Sequence, residues 1–138
     1  MFTPIFLFER EKGMTIKECI DIVDATKPNQ YTDYEKVRWL SQLDYTIANE
    51  IIDTHELPCG KDFIFEQYNP ERDLGKGLIA PPPYDEVYVA FLKMKIDEEN
   101  GETARYNNSA TMFNKHYEDF EKFYNKTHKP KQIGLRIY

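Results

Sequence analysis

The side chains of this 138-residue chain that could do chemistry are three histidines, two cysteines, a Gly-Lys-Gly triplet and a large set of carboxylates. His55, His116 and His128 never fall at i, i+4 from one another, and no His-Glu-x-x-His is present, so the helical zinc-hydrolase pattern is absent. His55-Glu56 closes a helix, where an imidazole caps carbonyls and favours the dipole. His116 and Asp119 share a helical turn, but two ligands fall short of a metal site. Cys19 lies on an apolar stripe and reads as a buried structural thiol. Cys59, in Pro58-Cys59-Gly60, has only Lys61 nearby to lower its pKa. Two cysteines forty residues apart build neither a disulfide scaffold nor a four-cysteine metal site, and they suit a reducing compartment. Gly75-Lys76-Gly77 lacks the spacing of a phosphate loop and runs into Leu78-Ile79 and prolines instead of a helix. No carboxylate pair sits in an apolar setting that would split its pKa values, and Asp97-Glu98-Glu99 reads as a solvated helix end. Asn107-Asn108-Ser109 and Asn125-Lys126-Thr127 match the glycosylation pattern, which carries little meaning in a reducing compartment. The residues therefore point to no enzyme, no metal and no cofactor.

The elements that position these residues are mainly helical. Thr15 and Glu18 form a capping box, followed by Ile16, Cys19, Ile20 and Val23 at helical spacing. Lys27-Pro28-Asn29 ends that helix, because proline cannot continue the hydrogen-bond ladder. Thr32 and Glu35 repeat the device. The second stripe is Val37, Leu40, Leu43 (or Asp44), Ile47 and Ile51, widened by Trp39 and Ile52, and predicts a helix of roughly 22 residues to about His55. From Leu57 to Pro83 the pattern breaks. Phe63-Ile64-Phe65 is the strand-like part of a stretch too apolar for a disordered linker, which predicts a long ordered loop or a small β-hairpin. Pro83, Asp85 and Glu86 favour a helix start. Val87, Tyr88, Phe91, Leu92 (with Met94) and Ile96 give the third helix a face, and Asn100-Gly101 ends it. A fourth helix from near Glu102 carries Tyr106, Ala110, Phe113, Tyr117, Phe120 and Tyr124, and stops at Thr127-His128-Lys129-Pro130. The expected fold is a four-helix domain over residues 14–130, with an extended C-terminal arm over residues 131–138.

Residues 1–13 stand apart. Phe2–Phe8 is apolar but has no basic flank and no small-residue cleavage site, so it makes a poor signal peptide. Glu9-Arg10-Glu11-Lys12-Gly13 has the composition of a translated ribosome-binding site, and Met14 opens the first helix. The expectation is that Met14 is the native start and residues 1–13 an upstream extension; the alternative is an N-terminal arm that docks its apolar face.

The net charge of −6 argues against a chain that binds nucleic acid along its whole length. Residues 14–56 carry 4 basic and 9 acidic groups, whereas Lys122, Lys126, Lys129, Lys131 and Arg136 all follow the last acid, Glu121. An acidic helical pair and a basic C-terminal end could organise head-to-tail packing or contact with a charged partner; ordinary solvated faces give the same pattern. Nine Phe, ten Tyr and one Trp exceed the needs of a helical core this size. Tyr31, Tyr34, Tyr45, Tyr68, Tyr84 and Tyr138 fall outside the stripes, and suit either packing under the long loop or intersubunit contact.

The run Ile20-Asp21-Ile22-Val23-Asp24-Ala25-Thr26-Lys27-Pro28-Asn29-Gln30-Tyr31, then Lys36-Val37-Arg38-Trp39-Leu40-Ser41-Gln42-Leu43-Asp44, resembles a family of small structural proteins of long-tailed phages and prophages. The resemblance continues through Ile51–Glu56, Ala80-Pro81-Pro82-Pro83-Tyr84-Asp85-Glu86, Ala104–Asn114 and Tyr124–Pro130. It covers nearly all of residues 14–130 and starts at Met14. The group is similar to helical head–tail connector (adaptor) proteins. The resemblance implies a ring of about a dozen copies between portal and tail, in the virion neck, assembled in the host cytoplasm without a membrane. DNA would pass through an acidic channel without specific binding. Candidate assembly contacts are Tyr68, Leu78, Ile79 and Tyr84 in the loop, and Lys131, Arg136 and Tyr138 in the arm. Deleting Lys131–Tyr138 is expected to spare the helical fold and block assembly. The alternative is a non-virion helical adaptor or regulator encoded by a phage or prophage.

Overall fold

The computed structural model describes residues 13–56 and 64–131. Expectations for residues 1–12, Cys59, Phe63, Arg136 and Tyr138 lie outside the described residues. The first helix, α1 (Ile16–Thr26), starts where expected. Thr15 Oγ1 accepts the Glu18 N–H at 3.1 Å, and Glu18 Oε1 accepts the Thr15 N–H at 2.9 Å. Thr32 and Glu35 close the same box, at 3.2 and 2.9 Å, ahead of α2 (Asp33–Ile47). Each box satisfies two backbone donors that a helix start leaves unpaired.

The second helix departs from the expected 22 residues of α-helix. After Ile47 the ladder widens into a π-helical stretch, Ala48–Ile52, and the Asp53 N–H bonds the Ala48 carbonyl at 2.8 Å. Ala48, Ile51 and Ile52 are all buried, so the wider turn keeps its apolar side on the core.

Next in order are α3 (Glu86–Asn100) and α4 (Thr103–Thr127), packed against each other. Gly101, at φ 73°, makes the left-handed turn that ends α3 at the position glycine favours. α3 also packs on α1 and α2, so its face, Val87, Tyr88, Leu92 and Ile96, fills the centre. Trp39 is edge-on to Tyr31 at 5.6 Å between ring centres, with the Lys95 ammonium 5.8 Å over its ring. Tyr31 donates to Asn100 Oδ1 at 2.6 Å, which ties the segment before α2 to the end of α3.

Between α2 and α3 the described part of the chain, residues 64–85, is an ordered loop; no strand occurs among the described residues. Three backbone bonds tie this loop to the chain around the start of α1. Ile16 N–H bonds the Lys76 carbonyl at 3.0 Å and Lys17 N–H the Leu74 carbonyl at 2.8 Å; Leu78 N–H bonds the Met14 carbonyl at 2.9 Å. Two first-turn donors of α1 thus find acceptors in the loop, and this long-range pairing takes the place of a local hairpin. Gly13 lies so close to it that a Cβ there would fall 2.6 Å from the Ala80 carbonyl oxygen.

Candidate functional site

The loop is held down by a buried cluster around Asp44. This aspartate lies on the inner face of α2 and is fully closed to solvent. Tyr68 and Tyr88 both donate their hydroxyls to its carboxylate, Tyr88 at 2.5 Å, and the Ile79 N–H adds a third bond at 3.1 Å. Tyr88 Oη in turn accepts the Ala80 N–H at 2.7 Å. Ser41, one turn before Asp44, accepts the Tyr68 N–H at 3.1 Å. Burial pushes the Asp44 carboxyl up to about 6, against the three hydrogen bonds that favour its charged form. Burial and the neighbouring carboxylate drive both phenols upward, so they stay protonated and donate. The cluster therefore binds α2, the loop and α3 into one unit.

The loop residues named from sequence are engaged inside the domain. Tyr68 and Leu78 are buried; Ile79 is half-buried and uses its N–H on Asp44. Tyr84 is half-buried and stacks on Phe123 at 4.5 Å, with Phe120 at 6.1 Å. The surplus tyrosines divide: Tyr34 and Tyr45 are exposed, while Tyr31 and Tyr84 pack at the boundary.

At the end of α4 the chain turns back along residues 54–56. Glu56 N–H bonds the Lys129 carbonyl at 2.8 Å, and Lys131 N–H bonds the Thr54 carbonyl at 2.9 Å. Lys131 Nζ also lies 3.4 Å from Asp53 Oδ1. His55 is buried beneath this clamp. Its Nδ1 donates to the Ile51 carbonyl at 2.6 Å, the capping role expected of it, and its Nε2 lies 2.8 Å from Asn125 Oδ1. The Tyr124 ring meets it edge-on and stacks on His128 at 3.7 Å. Residues 129–131 are thus fixed to the domain.

Two further buried charges are structural. Lys36, 2% exposed, bonds Asp24 at 2.6 Å. Burial works to raise the Asp24 pKa, but the bonds from Lys36 and Asn29 outweigh it and hold the carboxyl below its usual value. Asp97, read from sequence as solvated, is instead buried: its Oδ2 accepts from Ser109 at 2.5 Å and its Oδ1 lies 2.8 Å from Lys27 Nζ. Cys19 is fully buried, and burial pushes its thiol far above its ordinary pKa.

Sequence reasoning placed Asp44 only as an alternative to Leu43 on the stripe, and missed its partners. The signal was its spacing, four residues after Leu40 and three before Ile47. Among the described residues no group of three or more His, Cys, Asp or Glu is placed to hold a metal ion. No helix among them is long and apolar enough to cross a membrane.

A shallow cleft of about 480 Å³ opens on the outer side of α2, between Tyr34, Arg38, Tyr45 and the loop at Gln67–Arg72. Its floor is Ser41 and Tyr68, the residues that back onto the Asp44 cluster. No family model, curated protein or solved structure matches the chain.

Proposed function

We propose that the chain is a phage structural protein, a head–tail connector (adaptor) that forms a ring between portal and tail and acts by protein–protein assembly. The resemblance across residues 14–130 carries this reading. Two features of the molecule support it. The exposed positions of α1 and the start of α2 are rich in carboxylates, Glu18, Asp21, Asp24 and Asp33 among them, which suits a surface that DNA passes without sticking. The clamp of Lys129–Lys131 on Thr54–Glu56 gives the C-terminal arm a fixed point of departure from which to reach a neighbouring copy, the portal or a tail-side protein.

In this reading the protein works in the virion neck after assembly in the host cytoplasm. Quantitative mass spectrometry of purified particles from a phage that encodes it is the test. About one copy per portal subunit is the expected result. Absence from tailed, DNA-filled particles would overturn the connector and favour a non-virion helical adaptor or regulator.

A further inference from the structure

We propose that the cleft on the outer face of α2 is a binding site for a carboxylate-bearing segment of a partner protein. Its lining is unusual for this chain. With 24 acidic residues overall, not one lines the cleft, while two arginines do. Arg38 is exposed and makes no side-chain ion pair or hydrogen bond among the described residues. Among the described residues the Arg72 side chain pairs only with its neighbour Asp73, through Nε at 3.3 Å, and its two terminal guanidinium nitrogens have no partner there.

The floor adds a donor. Ser41 is 7% exposed; its Oγ accepts the Tyr68 N–H, and its own proton has no acceptor among the described residues. Asn69 uses its side-chain oxygen on the N–H groups of Glu71 and Arg72, so its amide NH2 is what remains to offer. Two guanidinium groups, a hydroxyl and an amide thus line one cleft as donors; the neutral side chains of Gln42 and Gln67 can turn their amides to donate, and no anionic group is among them. An oxyanion is the ligand chemistry that satisfies such a set, and a carboxylate fits a guanidinium in bidentate fashion.

Charge and walls select the source. Asp73 partly neutralises Arg72, so the cleft offers little more than one positive charge, and the net charge of −6 around it repels polyanions. Tyr34 and Tyr45, 61% and 54% exposed, flank the arginine with ring surface that a free small anion would leave wet. A peptide segment with a glutamate or aspartate beside aliphatic residues covers both rings while its carboxylate meets Arg38. The inference stands independently of the connector reading.

The test is fluorescence anisotropy of the full chain with a rhodamine-labelled peptide of alternating glutamate and leucine. Capped glutamate, inorganic phosphate and labelled oligothymidylate serve as separate probes. Saturable peptide binding that weakens by about tenfold or more in Arg38→Gln and in Arg72→Gln, and is unchanged in Lys115→Gln, is the expected result. Both arginines are exposed, and circular dichroism checks that the variants fold. Capped glutamate should compete only weakly. Absence of saturation, an equal loss in Lys115→Gln, full competition by capped glutamate, or tighter binding of phosphate or oligothymidylate would each overturn the proposal.

Discussion

Asp44 on α2 and Tyr88 on α3 meet across the core at 2.5 Å, the carboxyl oxygen accepting a hydrogen bond from the phenol in a place closed to water. The pair explains why the loop lies flat: Tyr68, Ile79 and Ala80 all attach to it. Asp44→Ala removes the acceptor of two hydroxyls and a backbone N–H at once. Urea unfolding should show a loss of about 3 kcal/mol or more.

The same carboxyl predicts a pH dependence. Its folded pKa of about 6 stands above its ordinary value of 3.8, so the folded protein holds a proton that the unfolded chain has released. The stabilisation tied to that proton is complete below about pH 4 and declines as pH rises through about 6. Asp44→Asn cannot titrate. The stability of the wild type relative to that variant should therefore fall, by about 3 kcal/mol at most, between those limits. Parallel curves for the two proteins would refute it.

Tyr88 and Tyr68 should differ in cost. Tyr88→Phe deprives Asp44 of a donor and the Ala80 N–H of its acceptor, both in the buried centre. Tyr68→Phe loses one donor and keeps the backbone bond to Ser41. Thermal unfolding should rank Tyr88→Phe the more damaging, by about 1 kcal/mol.

Lys27 and Lys17 make ion pairs of equal length, 2.8 Å, in opposite settings. Lys27→Met strands the buried Asp97 carboxylate and should cost about 3 kcal/mol. Lys17 and Asp21 are both more than half exposed, and Lys17→Met should leave thermal unfolding close to that of the wild type. Adding Asp97→Asn to Lys27→Met should recover part of the loss.

The arm deletion begins one residue later than the sequence suggested. Lys131 belongs to the clamp, through its N–H on Thr54 and its ammonium near Asp53. Removing Gln132–Tyr138 and keeping Lys131 should leave thermal unfolding unchanged while the yield of infectious particles collapses. A normal yield would count against the arm as an assembly contact.

What the sequence made legible was local. Thr15 and Glu18, or Thr32 and Glu35, are three residues apart and close their boxes without help from the rest of the chain. The glycine at 101 stops α3 by its own conformation. The Asp44 cluster joins residues 24, 35 and 44 positions apart, and no periodicity reports such a pairing. Asp97 escaped for the same reason: its neighbours Glu98 and Glu99 are exposed, and only the approach of Lys27 and Ser109 identifies it as buried. The loop followed a similar course. Its apolar content announced order, but its hydrogen-bond partner lay some sixty residues back, before and within α1.

Trp39 turns the junction of Tyr31, Lys95 and α2 into an optical gauge. It is the chain's sole tryptophan, and it lies where α3 closes over the segment before α2. Light absorbed by indole alone is therefore re-emitted from a single seam. A partner or a pH change that parts α2 from α3 will shift that colour, while one that acts only on the far end of α4 will leave it still.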